Sequence, residues 1–231
     1  MSEIVVPTTT EIKAYLFSRL RESGWYDKFR LYLNGESFEK VLQTLLNDYG
    51  LGYRIVPSLK LLFRAFECCP YEKMNVLIYT NELSPHLGKY NGIAFSQSIT
   101  GRANNPLINM FAELKETNPK YAGSPNLERW AQQGILMVPS ALSTLVDQKD
   151  AHIELWKPLF NQLFDIIKHD KPDCICAFVG EEVWGRADDL KNHITLKYVH
   201  PQKNFPEPYN SGMFSDINNA LEAKGKTKIT W

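Results

Sequence analysis

The 231-residue chain is poor in cysteine and carries no net charge: four Cys in all, and 26 Lys+Arg against 26 Asp+Glu. A zero balance excludes a histone-like tail or a wholly basic coat, so any nucleic-acid partner must be held by a local patch. The cysteines fall as Cys68–Cys69 and Cys174–Cys176, spacings that neither bridge readily nor give the usual C-x2-C zinc pattern, and they read as reduced, buried thiols. No run approaches the ~20 apolar residues that span a bilayer, and MSEIVVPTTTEIK lacks the charged-then-apolar order of a signal peptide. The expectation is a soluble intracellular protein, of cytoplasm or nucleus, with no membrane partner. No repeat, low-complexity tract or Pro/Gly/Ser-rich linker interrupts the sequence, so residues 1–231 read as a single domain, with a helical region at about 10–70 and a sheet with its loops at about 75–231.

Forty-four per cent hydrophobic residues supply one substantial core. Helical periodicity runs through Glu11–Arg21 (Ile12, Tyr15, Leu16, Leu20), Phe38–Asp48 (Val41, Leu42, Leu45) and Ser58–Phe66, where Pro57 stands at the start. Asn75–Tyr79 is a β-branched apolar run of the kind found in buried central strands, and Gly134–Pro139, Asp173–Gly180 and Ile194–Val199 repeat it, each with a loop behind. Helices Asn105–Glu116, Asn126–Gln133, Leu155–Lys168 and Phe214–Ala223 alternate with them. The pattern predicts an α/β fold, a three-layer α/β/α sandwich around a central four-stranded parallel sheet. Four loops then gather at the carboxyl ends of the strands, where such sheets bind ligands.

His86, His152, His169, His193 and His200 share no i,i+3 or i,i+4 spacing beside an acid, which disfavours metal-assisted hydrolysis. The four cysteines are not spaced for an iron–sulfur cluster. No metal and no cofactor is expected.

Several loop segments carry a resemblance. Gly92-Ile93-Ala94-Phe95-Ser96 matches a G-L-A-F-S motif, and 127–136 (LERWAQQGIL) matches L-x-x-W-A-x-Q-G-V-L. Gly180 matches a W-G turn, His200-Pro201 the start of H-P-S-P-L, Gly212-Met213-Phe214 a G-F-F, and Ile229-Thr230-Trp231 a closing I-x-W. In order and spacing, from about Trp25 to Trp231, the chain resembles the family 1 uracil-DNA glycosylases, with Ile55-Val56-Pro57 similar to the segment before their first strand. The resemblance implies the uracil-DNA glycosylase fold, a DNA partner whose nucleotide is flipped out of the stack, and hydrolysis of the base–sugar bond.

The departures fall on the residues that the resemblance would make functional. The family's G-Q-D-P-Y-H becomes Thr80-Asn81-Glu82-Leu83-Ser84-Pro85, so its water-aligning Asp is replaced by Glu82 and its Tyr gate by Ser84. A shifted alignment puts His86 at the motif's last position and Leu83 where the acid belongs. The Asn that reads the base edge is replaced by Pro139, which has neither a side-chain amide nor an N–H. By this resemblance Glu82 and His200 are the candidate catalytic residues, and Asn81, Ser84, Phe95 and Pro139 the candidate base-binding ones. Pro57, Asn105, Pro106, Lys203, Asn204 and Phe205 are candidate DNA contacts, Phe205 standing one place beyond the family's wedge. Read without it, Glu82 is equally a solvated loop carboxylate, His200 a strand-end hydrogen-bonding group, Phe95 a core residue and Lys203 a solvated charge.

Loss of the amide reader together with a one-methylene displacement of the acid predicts weak or absent uracil excision, while Ser84 leaves room for a C5-substituted pyrimidine. The alternative is a catalytically silent member that binds DNA or a protein of replication and repair, or that acts as a decoy for proteins targeting active uracil-DNA glycosylases. A monomer is expected.

Overall fold

The computed structural model describes residues 8–81, 90–98, 103–203 and 209–231. The chain opens with a helical layer. In α1 (Thr9–Glu22), Thr8 and Glu11 form a reciprocal capping box that satisfies the first free amides. Two single-turn helices follow, α2 (Trp25–Lys28) and α3 (Arg30–Leu33), then α4 (Glu36–Gly50), which buries Phe38, Val41, Leu42 and Leu45 on one face. The periodicity over Ser58–Phe66 predicts one helix, but the chain there forms a 3-10 turn, Leu59–Leu61, and then α5 (Arg64–Cys68). Short apolar spacing fits either geometry, and the Gly92 loop packs closely on this turn: a Cβ on Gly92 would stand 2.3 Å from the Leu61 carbonyl oxygen.

The four apolar runs form one parallel sheet: β2 (Val76–Thr80), β3 (Ile135–Pro139), β5 (Ile175–Val179) and β6 (Ile194–Tyr198), in the order β3-β2-β5-β6. The first three are buried along their length, as continuous apolar runs require, whereas β6 is a half-exposed edge. A separate antiparallel pair, β1 (Ile55–Val56) with β4 (Thr144–Leu145), joins the helical region to the segment beyond β3.

The connection from β2 to β3 runs one way along the sheet and that from β3 to β5 runs back across it. Right-handed crossovers therefore put the intervening helices on opposite faces, giving three layers. α6 (Asn105–Thr117) and the single turn α7 (Glu128–Ala131) lie in the first connection, and α8 (Ile153–Asp170) in the second. On α8, Phe160 and Phe164 pack edge-on against Tyr79 at 5.4 and 5.2 Å between ring centroids. A long 3-10 segment, Glu181–Leu190, links β5 to β6, and α9 (Met213–Ala223) closes against both strands. Trp231 meets Trp130 and Phe214 edge-on, at 5.2 and 4.9 Å between ring centroids. Gln133 holds the preceding residue by a pair of bonds, donating to the Thr230 carbonyl (3.0 Å) and accepting its N–H (2.8 Å). All four cysteines are free thiols and buried.

Candidate functional site at the strand tips

The chain leaves β2 toward β3 and leaves β5 toward β6, so the direction of connection reverses between the neighbouring tips of β2 and β5. That reversal opens a crevice at the carboxyl ends. Thr80 pairs in register with Pro139 on one side and Val179 on the other. The next residues, Asn81 and Gly180, therefore flank the crevice.

Asn81 and Gly180 fit together closely. Gly180 adopts φ +110°, and a Cβ there would lie 2.6 Å from Asn81 Oδ1 and 3.2 Å from Glu182 Oε2. A side chain at 180 is thus disfavoured twice, by backbone conformation and by the amide occupying its place. Asn81 Oδ1 is buried and has no hydrogen-bond partner among the described residues; a buried polar atom without a partner costs about 1–3 kcal/mol. Ser140, at the neighbouring tip, donates to the Asn81 carbonyl oxygen at 3.3 Å.

The Gly92–Ser96 loop is pinned from both ends. Ala94 N–H donates to the Met137 carbonyl of β3 (3.1 Å), and Ser96 Oγ accepts the Leu127 N–H (2.9 Å). Between these anchors Phe95 takes φ +64°, a left-handed conformation that costs an aromatic residue about 1–2 kcal/mol. Its ring is buried and faces the His200 imidazole, 5.5 Å between centroids and 38° between planes.

His200 sits two residues beyond β6. The Gln202 N–H donates to its Nδ1 at 3.2 Å, so the neutral ring carries its proton on Nε2. The turn is closed by Lys203 N–H to the His200 carbonyl (2.9 Å) and tied to α6 by Asn109 Nδ2 to the Pro201 carbonyl (2.8 Å).

Of the residues the sequence singles out, Asn81, Pro139 and His200 end or follow three of the four parallel strands, and Phe95 reaches His200 from the loop pinned to β3. Pro57 is buried, with a cis peptide before it, at the end of β1. Asn105 is exposed and Pro106 buried at the start of α6, whose N-cap is Asn104, accepting the Leu107 N–H (3.2 Å). Lys203 is ion-paired with Glu181 at 2.6 Å. Glu82, Ser84, Asn204 and Phe205, with Leu83 and His86, lie outside the described residues. Sequence reasoning missed Glu181 and Glu182, which directly follow Gly180; the signal was the pair of acids just behind a predicted strand end.

No protein-family model matches the chain. Uracil-DNA glycosylase 2 of Bacteroides fragilis is 28% identical over 217 residues, covering 91% of this chain and 98% of its own length. The uracil-DNA glycosylase of Lactococcus lactis subsp. cremoris is 28% identical over 222 residues, 92% of this chain and 99% of its own. Among solved structures, the mimivirus uracil-DNA glycosylase superposes with a TM-score of 0.81 at 22% identity over 96% of this chain and 91% of its own. A variant of the mimivirus protein in complex with UGI gives 0.82. Strand order, layers and these superpositions agree: the chain has the uracil-DNA glycosylase fold, and along nearly its whole length it is similar in sequence to proteins of that name.

Proposed function

We propose that the protein binds DNA and holds one flipped pyrimidine at the strand tips, with weak or no excision of ordinary uracil and with room for a C5-substituted pyrimidine. The observation that carries the reading is the Phe95–His200 pair, a buried aromatic ring facing an imidazole at the crevice. Phe95 holds a strained backbone at a place where its ring can stack on a base, a contact worth about 1–3 kcal/mol without regard to base identity. The His200 Nε2–H is the donor that an oxygen of the departing base would meet, stabilising the charge that develops there.

Support for weakened uracil excision comes from Pro139. A base edge paired with an amide is discriminated because mismatched polar groups stay unsatisfied, and a proline at the tip of β3 removes that device. The sequence puts Glu82 where the acid belongs, one methylene longer than Asp, and a misplacement of about 1 Å costs on the order of 100-fold in rate. Ser84 in place of a tyrosine is the basis for the C5 substituent.

The test is to incubate the protein with duplex and single-stranded oligonucleotides carrying uracil, thymine or 5-hydroxymethyluracil and to cleave abasic sites with alkali. Strand breaks at a C5-substituted base, lost in Glu82→Gln and His200→Ala, support an enzyme of altered choice. Salt-sensitive binding without breaks supports a silent binding protein.

A further inference from the structure

We infer a second nucleic-acid site, separate from the strand tips: a groove between the start of α1, the end of α4 and the β1 turn that takes unpaired bases of single-stranded DNA. The groove has a volume of about 430 Å³ and is walled by Tyr15, Tyr49, Tyr53 and Leu59, a size in the range of small-ligand clefts. Tyr15 and Tyr53 are 39% and 46% exposed, unusual for two large rings on one depression, and Ile12 below them belongs to the core.

Charge selects the occupant. Arg54 and Lys60 stand on the rim, both exposed, and neither is in an ion pair among the described residues. Lys60 Nζ lies 5.7 Å above the Tyr15 ring. The acid at the groove, Glu11, keeps its charge and is held at the α1 cap, its Oε2 accepting from the Thr8 N–H and hydroxyl at 2.8 Å each, so the two cations exceed it by one. Exposed tyrosines beside two cations that make no ion pair among the described residues, one of them over a tyrosine ring, are an arrangement on which bases stack while phosphates meet the charges. An apolar peptide would use the rings and leave both cations idle. The groove's Ser58 follows Pro57 at the end of β1, and β1 pairs with β4, which follows β3 in the chain.

The inference is tested with fluorescein-labelled hexathymidylate, followed by anisotropy across a salt series. The wild-type chain binds it, and Tyr15→Ala/Tyr53→Ala weakens binding by about tenfold or more, from two lost stacking contacts. Tyr15→Phe/Tyr53→Phe restores it. Arg54→Gln/Lys60→Gln lowers the slope of log K against log salt by roughly 1.4, about 0.7 per phosphate. Because these side chains are exposed, circular dichroism of the variants stays that of the wild type. His200→Ala separates this site from the strand tips: hexathymidylate binding that survives it supports the groove, and binding that disappears with it while Tyr15→Ala/Tyr53→Ala has no effect overturns it. Absence of hexathymidylate binding also overturns it, as does a concentration-dependent dimer that Tyr15→Ala/Tyr53→Ala abolishes, which would assign the groove to a second copy of the chain.

Discussion

Asn81 Oδ1 stands where a Cβ at Gly180 would be, 2.6 Å away, so the tips of two neighbouring parallel strands are shaped by one amide filling the space of one missing side chain. Gly180→Ala forces that amide out and imposes a strained φ. The expected cost is about 1–3 kcal/mol in urea unfolding. In an Asn81→Ala background the same substitution costs less, because the backbone part and the looser 3.2 Å approach to Glu182 remain while the amide clash is gone, and a double-mutant cycle reads the difference.

Phe95 and His200 are expected to act on the ligand through one surface. Phe95→Ala and His200→Ala should each weaken binding of an oligonucleotide bearing a flipped pyrimidine by about 1–3 kcal/mol, with less than additive loss in the double variant. Isothermal titration gives both numbers.

Glu181 holds Lys203 in an ion pair, and under the proposed function it would compete with DNA for that cation. The pair is half-exposed, 46% and 50%, and such bridges contribute about 0–1 kcal/mol. Glu181→Gln should therefore raise DNA affinity up to about fivefold at low salt, and Lys203→Gln should lower it and flatten the salt slope. Filter binding at two salt concentrations checks both signs.

The segment beyond β3 has a buried tie. Trp156 Nε1–H donates to Ser143 Oγ (2.8 Å), Ser143 Oγ meets His152 Nδ1 (2.9 Å), and His152 Nε2 meets Asp48 (3.1 Å). Burial lowers the His152 pKa below its ordinary 6.5, against the opposing pull of Asp48. The unfolded chain then takes up the proton first as pH falls. Stability is fully present above about pH 6.5 and is lost as pH falls from there toward the folded value. His152→Gln should remove that part of the pH dependence of urea midpoints between pH 7 and 5.

Gln133 clamps the C-terminal strap through its paired bonds with Thr230. Gln133→Ala should destabilise by about 1–2 kcal/mol and increase the accessibility of Trp231, followed by acrylamide quenching.

Most of the sheet was legible because parallel strands buried on both faces leave continuous apolar runs, and all four were placed within one or two residues. The α2 and α3 turns were not, since four-residue helices show no periodicity, and Asn126–Gln133 shrank to the single turn Glu128–Ala131. The β1–β4 pair is two residues long on each side, too short for alternation to register. Motif resemblance singles out Phe95 and His200, whose rings the fold brings to 5.5 Å between centroids. The fit of Asn81 to Gly180 was not legible, because it depends on strand order, and no local pattern states which tips become neighbours.

The central claim is tested most directly by single-turnover excision from a duplex containing one uracil, with the purified protein in excess. Abasic product is expected to form slowly or not at all, while the same oligonucleotide is bound through contacts that Phe95→Ala weakens. Rapid, uracil-selective release would contradict it, showing that the Pro139 tip reads the base without the amide that the account holds to be missing.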